Sequence, residues 1–248
     1  NTLIPVGLKD DRREDGYLPG GISVSSLSNA LVPSFINENT RLGNGALPDM
    51  ENTSNNTAIG FHALNNTSSN KYGVIAIGSS AAANNNYMDS IVAIGNDAFR
   101  FGGGNACVAV GTNAATQGYG QSENVNIGYY SGYYNPYTQT SVSIGSYSNY
   151  QSGNMLASVA VGYGTGKYQN NGNQLNTYIG AFSASYNWTS GDYNTSLGGY
   201  TLSNVTSGWY NLASGYNSLF SLTSGYHNTG VGAETLYYLT TGYFNTAV

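Results

Sequence analysis

The chain has 248 residues, 34 of them glycine and 23 tyrosine, yet only 8 % are charged where a globular domain has about a quarter. With seven Lys and Arg in all and a net charge of −5, it offers no clustered cationic surface for nucleic acid and no polybasic patch for an anionic membrane. A single cysteine, Cys107, excludes an intrachain disulfide framework and a cysteine zinc site, and no apolar run is long enough for insertion into a membrane.

Apolar residues recur in order and aromatics reach 13 %, which argues against disorder. The chain starts at Asn1 rather than Met, and is read as a processed product or an excerpt of a longer polypeptide. Residues 1–38 come first and fit no repeat. They carry a charged run from Lys9 to Asp15, followed by the turn signal Leu18-Pro19-Gly20-Gly21. This segment is expected to be a solvated loop, or a neck or adaptor joining the chain to an upstream part of a fibre.

From 39 to 248 a short apolar stretch closed by glycine recurs. Its clearest copies are Ile59-Gly60, Ile77-Gly78, Ile94-Gly95, Val110-Gly111, Ile127-Gly128 and Ile144-Gly145. Gly43, Gly162, Gly180, Gly198, Gly215 and Gly232 complete twelve copies spaced 16 to 18 residues apart. Asn245 to Val248 begin another, so the array is expected to continue past Val248.

Positions are counted here from each closing glycine. In the central copies −3 and −1 are both apolar (Ile75 and Ile77, Val92 and Ile94, Val125 and Ile127), whereas −2 is mostly Ala, Ser or Asn. That alternation is the mark of a strand with one buried face. Position +3 is always small, as in Ala63, Ala98, Ser131 and Ser183, and position −4 is mostly Asn, as in Asn39, Asn56, Asn194, Asn211 and Asn228. Asn suits a turn there and can hydrogen-bond a stacked copy of itself.

A unit of this length holds two strands of about five residues and two tight turns, which is one coil of a β-solenoid. Strands about 4.8 Å apart would stack twelve coils into a rod of roughly 55 to 60 Å. Two facing strands enclose little apolar volume, so side-by-side oligomerisation is expected, with the small −2 and +3 residues admitting a neighbouring backbone.

At Val125-Asn126-Ile127-Gly128 and Val142-Ser143-Ile144-Gly145 the chain resembles the YadA-like head repeat of trimeric autotransporter adhesins. The variants beginning at Asn56 and Asn228 resemble the repeats of bacteriophage tail fibres. The resemblance implies an all-β fold, a parallel, left-handed β-roll with about 17-residue coils in a side-by-side homotrimer. It further implies an extracellular place, on a virion tail fibre or a bacterial cell surface, and attachment to a cell-surface glycan or protein receptor. A phage tail fibre is the leading expectation, and a bacterial adhesin head the alternative. One departure is that Thr177, Thr195, Thr229 and Thr246 replace the −3 Val or Ile, where a hydrogen-bonded ladder is expected.

Position along a solenoid converts to height, so chemical pairs can be tested by counting coils. His62 and His227 stand ten coils apart, roughly 48 Å, and share no site. Cys107 occupies the −4 position that Val74 and Ile91 also fill, and is expected to be a buried hydrophobe rather than a nucleophile. A polysaccharide-degrading tailspike needs two carboxylates about 5 to 10 Å apart. Asp89 and Glu123 come nearest, two coils apart, in adjacent positions expected to point to opposite faces. The chain is therefore read as non-enzymatic, without cofactor or metal, with the tailspike as the alternative of another class. An ice-binding solenoid would need an unbroken Thr ladder, which Ile75 through Val159 interrupt. Seven N-x-S/T sequons match what so Asn- and Thr-rich a repeat produces by chance.

Aromatic residues are the strongest candidates for a functional surface. Tyr129, Tyr130, Tyr133, Tyr134 and Tyr137, then Tyr147 and Tyr150, follow in neighbouring coils, with Trp188 and Trp209 farther along. Exposed rings give contact area at small entropy cost, which suits carbohydrate or protein capture; the bland reading is that they fill loops and inter-chain grooves.

Overall fold

The computed structural model describes residues 34–36, 38–48, 53–65, 71–85, 87–169, 174–186 and 191–248. Each glycine-closed stretch forms a short strand that pairs in parallel with its counterpart one unit on, as in Val108↔Val125, Ala109↔Asn126 and Val110↔Ile127. With Ser34–Ile36 added at its first edge, these strands build one sheet of 14 strands. A second ladder runs along the other side of the coil. It starts with Thr53–Ser54, Lys71–Tyr72, Met88–Asp89, Gly104–Asn105 and Gln121–Ser122, passes through single bridges at Gln139, Leu156 and Gln174, and ends with Ser207–Trp209, Ser224–Tyr226 and Thr241–Tyr243. The architecture is a parallel β-solenoid of about 11 turns with roughly 17-residue coils. Twelve closing glycines bound that number of full coils.

The strands are shorter than the five residues expected, because corners take more of each unit. In the coil of Gly111, Asn113, Ala115 and Glu123, at positions +2, +4 and −5 of successive units, all have φ between 50° and 57°. A left-handed non-glycine residue costs about 1–2 kcal/mol, so contacts between coils must hold it. They do so by backbone bonds in both directions: Asn113 N donates to Asn96 O of the coil below and Ala115 N to Ser131 O of the coil above, both at 2.9 Å.

The first coil has a different neighbour. Ser34–Ile36 pairs antiparallel with Asn39–Leu42 through a turn at Glu38, so the end of the 1–38 segment forms a hairpin that covers the edge of the long sheet. The charged run from Lys9 to Asp15 lies outside the described residues.

One expectation is corrected. The small −2 residues do not face a neighbouring chain; they point into the coil. Ala76, Ala93, Ala109 and Ala213 are fully buried there, with Asn126, Ser143 and Ser196. They meet the small +3 residues of the preceding unit: Ser131 Oγ donates to Ser143 O at 2.8 Å, and Ser148 Oγ to Ala160 O at 2.9 Å. Small side chains thus set the thickness of the coil itself.

The larger −3 and −1 residues consequently lie on the outer face of the long sheet. Ile75 is 39 % exposed, Ile94 and Ile127 37 %, and Val92, Val108, Val125 and Val142 are half-buried. Thr177, Thr195 and Thr229 continue that outward row, half-buried, and Thr246 ends it exposed. Inside, the first coils are apolar around Leu47, Leu64, Met88, Ile91 and Phe99, and the last around Leu202, Leu219 and Leu222. The middle is polar, with buried Gln121, Asn126, Ser143 and Asn149; there Asn149 Nδ2 donates to Ser143 Oγ at 2.7 Å.

Candidate functional site

Side chains at one position of successive coils sit about 4.8 Å apart, close to the thickness of a stacked ring pair, so like residues stack along the axis. This brings most of the sequence-nominated tyrosines together. Tyr130 and Tyr147, both at +2, stack at 5.6 Å and 3°; Tyr133 and Tyr150, both at +5, stack at 5.3 Å and 9°. Tyr129 stands on edge to Tyr130 and Tyr147, at 85° and 87°. Tyr163 joins the cluster from the next coil, at 81° to Tyr147.

Crowding by these rings removes water from the phenols, and desolvation first, then repulsion from neighbouring phenolates, holds the hydroxyls of Tyr130, Tyr147 and Tyr150 above their ordinary pKa. They therefore remain neutral donors. Lys167 closes the cluster with its Nζ 5.1 Å from the centre of Tyr147 and 5.0 Å from that of Tyr168.

Other nominated residues do not join. Tyr134 and Tyr137 are exposed elsewhere on the coil, and Tyr137 leans over Gly120, where an added Cβ would come within 3.0 Å of its ring. Trp188 lies outside the described residues. Trp209 sits at a different corner, stacked on Tyr226, which in turn stacks on Tyr243 at 5.2 Å and 9°.

Beside this column runs a stack the sequence reading passed over: Tyr193, Tyr210, His227 and Phe244, with successive planes within 3° and centroids 4.7 to 5.0 Å apart. All four occupy position −5, and Trp209, Tyr226 and Tyr243 occupy −6. Alignment on the glycines was the available signal.

Among the described residues, no group of three His, Cys, Asp or Glu gathers to hold a metal, and no helix is long and apolar enough to cross a membrane. Asp89 and Glu123 keep their places two coils apart, with Asp89 accepting from Ser90 Oγ at 2.9 Å. Asn194 of the sequons is buried, and its Nδ2 donates to Gly208 O at 2.7 Å.

Cys107 is fully buried. Desolvation pushes its thiol from an ordinary 9.0 up to about 11, partly offset by backbone hydrogen bonds of Asn124 and Glu123. The thiolate is the reactive form, so iodoacetamide at neutral pH is expected to label Cys107 only after denaturation. Because the folded value is the raised one, Cys107 contributes stability below about 9 that is lost as pH climbs toward about 11. Labelling of the native chain at the rate of a free thiol would contradict this burial.

Comparison of the chain with protein-family models, curated proteins and solved structures returns no match.

Proposed function

We propose that the chain is a segment of an extracellular homotrimeric fibre that attaches to a cell-surface receptor and catalyses nothing. The observation that carries this reading is the outer face of the long sheet. Two rows of Val, Ile, Leu and Thr run along it for roughly 55 Å, an apolar strip on the order of 500 Å². That matches the largest apolar patch of a typical soluble monomer, which is often a functional surface, and its straight run along one sheet is a shape that copies packed side by side would cover.

Closure by three chains rather than two follows the resemblance to adhesin head and phage fibre repeats. A phage tail fibre is our first reading, and the same architecture suits a bacterial adhesin head. A low charge content also fits a rod whose long sides are covered by sister chains.

Light scattering is expected to give three times the 26.1 kDa chain mass. Substituting Ile94→Asp with Ile127→Asp is expected to give monomers that keep their β-sheet circular dichroism, since both side chains point away from the coil interior. Association should weaken by at least about a thousandfold, given several kcal/mol for charges placed in an apolar interface. A lone monomer of the unsubstituted chain at roughly micromolar concentration would overturn the reading.

A further inference from the structure

The aromatic columns differ in what they leave open. In the −5 stack each ring covers its neighbours' faces, with planes within 3° of one another, so only ring edges reach solvent. Such a stack fills space along the rod and gives a flat ligand nothing to lie on.

Position +1 is built differently. Tyr163 stands at 81° both to Tyr147 in the coil below and to Phe182 in the coil above, so its plane runs along the rod axis and its faces look sideways. Tyr129 is turned in the same way against Tyr147, and Tyr216 against Tyr200 at 81°. Tyr216 also lies over Gly199, where a Cβ would stand 3.5 Å and 3.8 Å from its Cδ2 and Cε2, ordinary contact distances that place the ring against the coil below. The three rings are 45 %, 52 % and 55 % exposed, close to the 48 % of the stacked Tyr210, so orientation and not exposure sets them apart.

Between them the +1 column carries small residues: Ser146 in one gap, Ala181 and Gly199 in the other. At about 4.8 Å per coil the platforms stand roughly 10 and 14 Å apart along one line. Open apolar faces repeated along a straight track, with phenol hydroxyls of neighbouring rings beside them, match a chain of pyranose rings, whose C–H faces stack on aromatics while their hydroxyls hydrogen-bond.

Charge narrows the class. Lys167 stands beside Tyr147, which touches both Tyr129 and Tyr163. Among the described residues the ion pair present is Arg100 with Asp97, and Lys167 pairs with no carboxylate. Its ammonium rests on ring faces and keeps hydrogen-bond donors for an anionic group.

We infer that the +1 column is a track for a linear acidic glycan lying parallel to the rod axis, with Tyr129, Tyr163 and Tyr216 as platforms and Lys167 as the contact for its carboxylates. The inference rests on the receptor-binding reading above and names the class of receptor. Its test uses the full chain titrated with oligogalacturonate and hyaluronan oligosaccharides, and with neutral cello-oligosaccharides, followed by tyrosine fluorescence and calorimetry.

Acidic oligosaccharides are expected to bind more tightly than neutral ones. Tyr163→Ala with Tyr216→Ala should weaken binding by about tenfold per ring, whereas Tyr137→Ala, away from the column, leaves it unchanged. Lys167→Gln should bring the acidic probes down to the neutral level, and Lys167→Arg should restore the difference. Light scattering on the same samples checks assembly and folding. A trimeric chain that binds neither acidic probe, or binds them regardless of these substitutions, overturns the glycan track and leaves the fibre standing. A monomeric chain that binds them as described supports the track and overturns the fibre.

Discussion

Replacing Gly111 by valine is expected to unfold the coils on either side of it. Gly111 has φ +133°, a conformation L side chains rarely adopt, and an added Cβ would stand 2.5 Å from Gly128 O and 2.7 Å from its carbonyl carbon. The obstacle is the backbone of the next coil, which cannot swing aside without breaking the parallel ladder. The same close approach recurs from Gly43 to Gly215, which is why glycine closes nearly every unit.

Strain at such a position costs about 1–3 kcal/mol by itself, and the clash brings the expected loss to about 3–5 kcal/mol. Stability in a solenoid is shared between nearest neighbours, so the loss spreads along the rod instead of staying in one turn. Denaturant melts would measure it. Gly103→Ala is the control: no positive φ is involved and the nearest atom, Tyr87 O, is 3.8 Å away, so its effect should stay within about 1 kcal/mol. Equal melting of the two variants would show that the glycine column is not a steric requirement.

The repeat, the parallel stacking and the Asn ladder were legible because each depends on residue identity at a fixed offset from glycine. Which face of the strand turned inward was not. Alternation between large apolar and small residues ordinarily places the large ones inside. Here the two sides of the coil approach too closely for that, and Ala109 or Ser143 fits where Val108 or Val142 would not.

The aromatic surface was legible in part. Proximity of Tyr129, Tyr130 and Tyr133 follows from counting coils, but the orientation of each ring depends on its neighbours. Gly164 at +2 leaves a space in the Tyr130–Tyr147–Phe182 column, and Tyr163 stands on edge between Tyr147 and Phe182 there. Sequence offers no sign of that turn. The −5 and −6 stacks, by contrast, needed only the alignment already in hand.

Asn211→Ala is expected to cost about as much as the glycine substitution, for a different reason. Asn211 is 1 % exposed. Its backbone N and Nδ2 both donate to Asn194 Oδ1 at 3.0 Å, and Nδ2 donates again to Gly225 O at 2.9 Å. Its Oδ1 accepts from Asn228 N at 3.1 Å and from Asn228 Nδ2 at 3.0 Å. Alanine keeps only the backbone bond, stranding a buried carbonyl and a buried amide at about 1–3 kcal/mol each, for a total of about 3–5 kcal/mol.

The chain's own variation supports this accounting. The ladder is interrupted twice: Val74, Ile91 and Cys107 fill position −4 in three consecutive coils, where the replacements are apolar and buried together, and Ser141 and Ser158 fill it in two more, where a hydroxyl takes the place of the amide oxygen as acceptor for the next coil's N–H. Cys107→Val should accordingly change stability by no more than about 1 kcal/mol. Hydrogen exchange separates the mechanisms: Asn211→Ala should lose amide protection first at Asn228, whose donor has lost its acceptor, whereas an overpacked or emptied core would release both neighbouring coils together. Unchanged protection at Asn228 would mean that the ladder follows from coil stacking and does not enforce it.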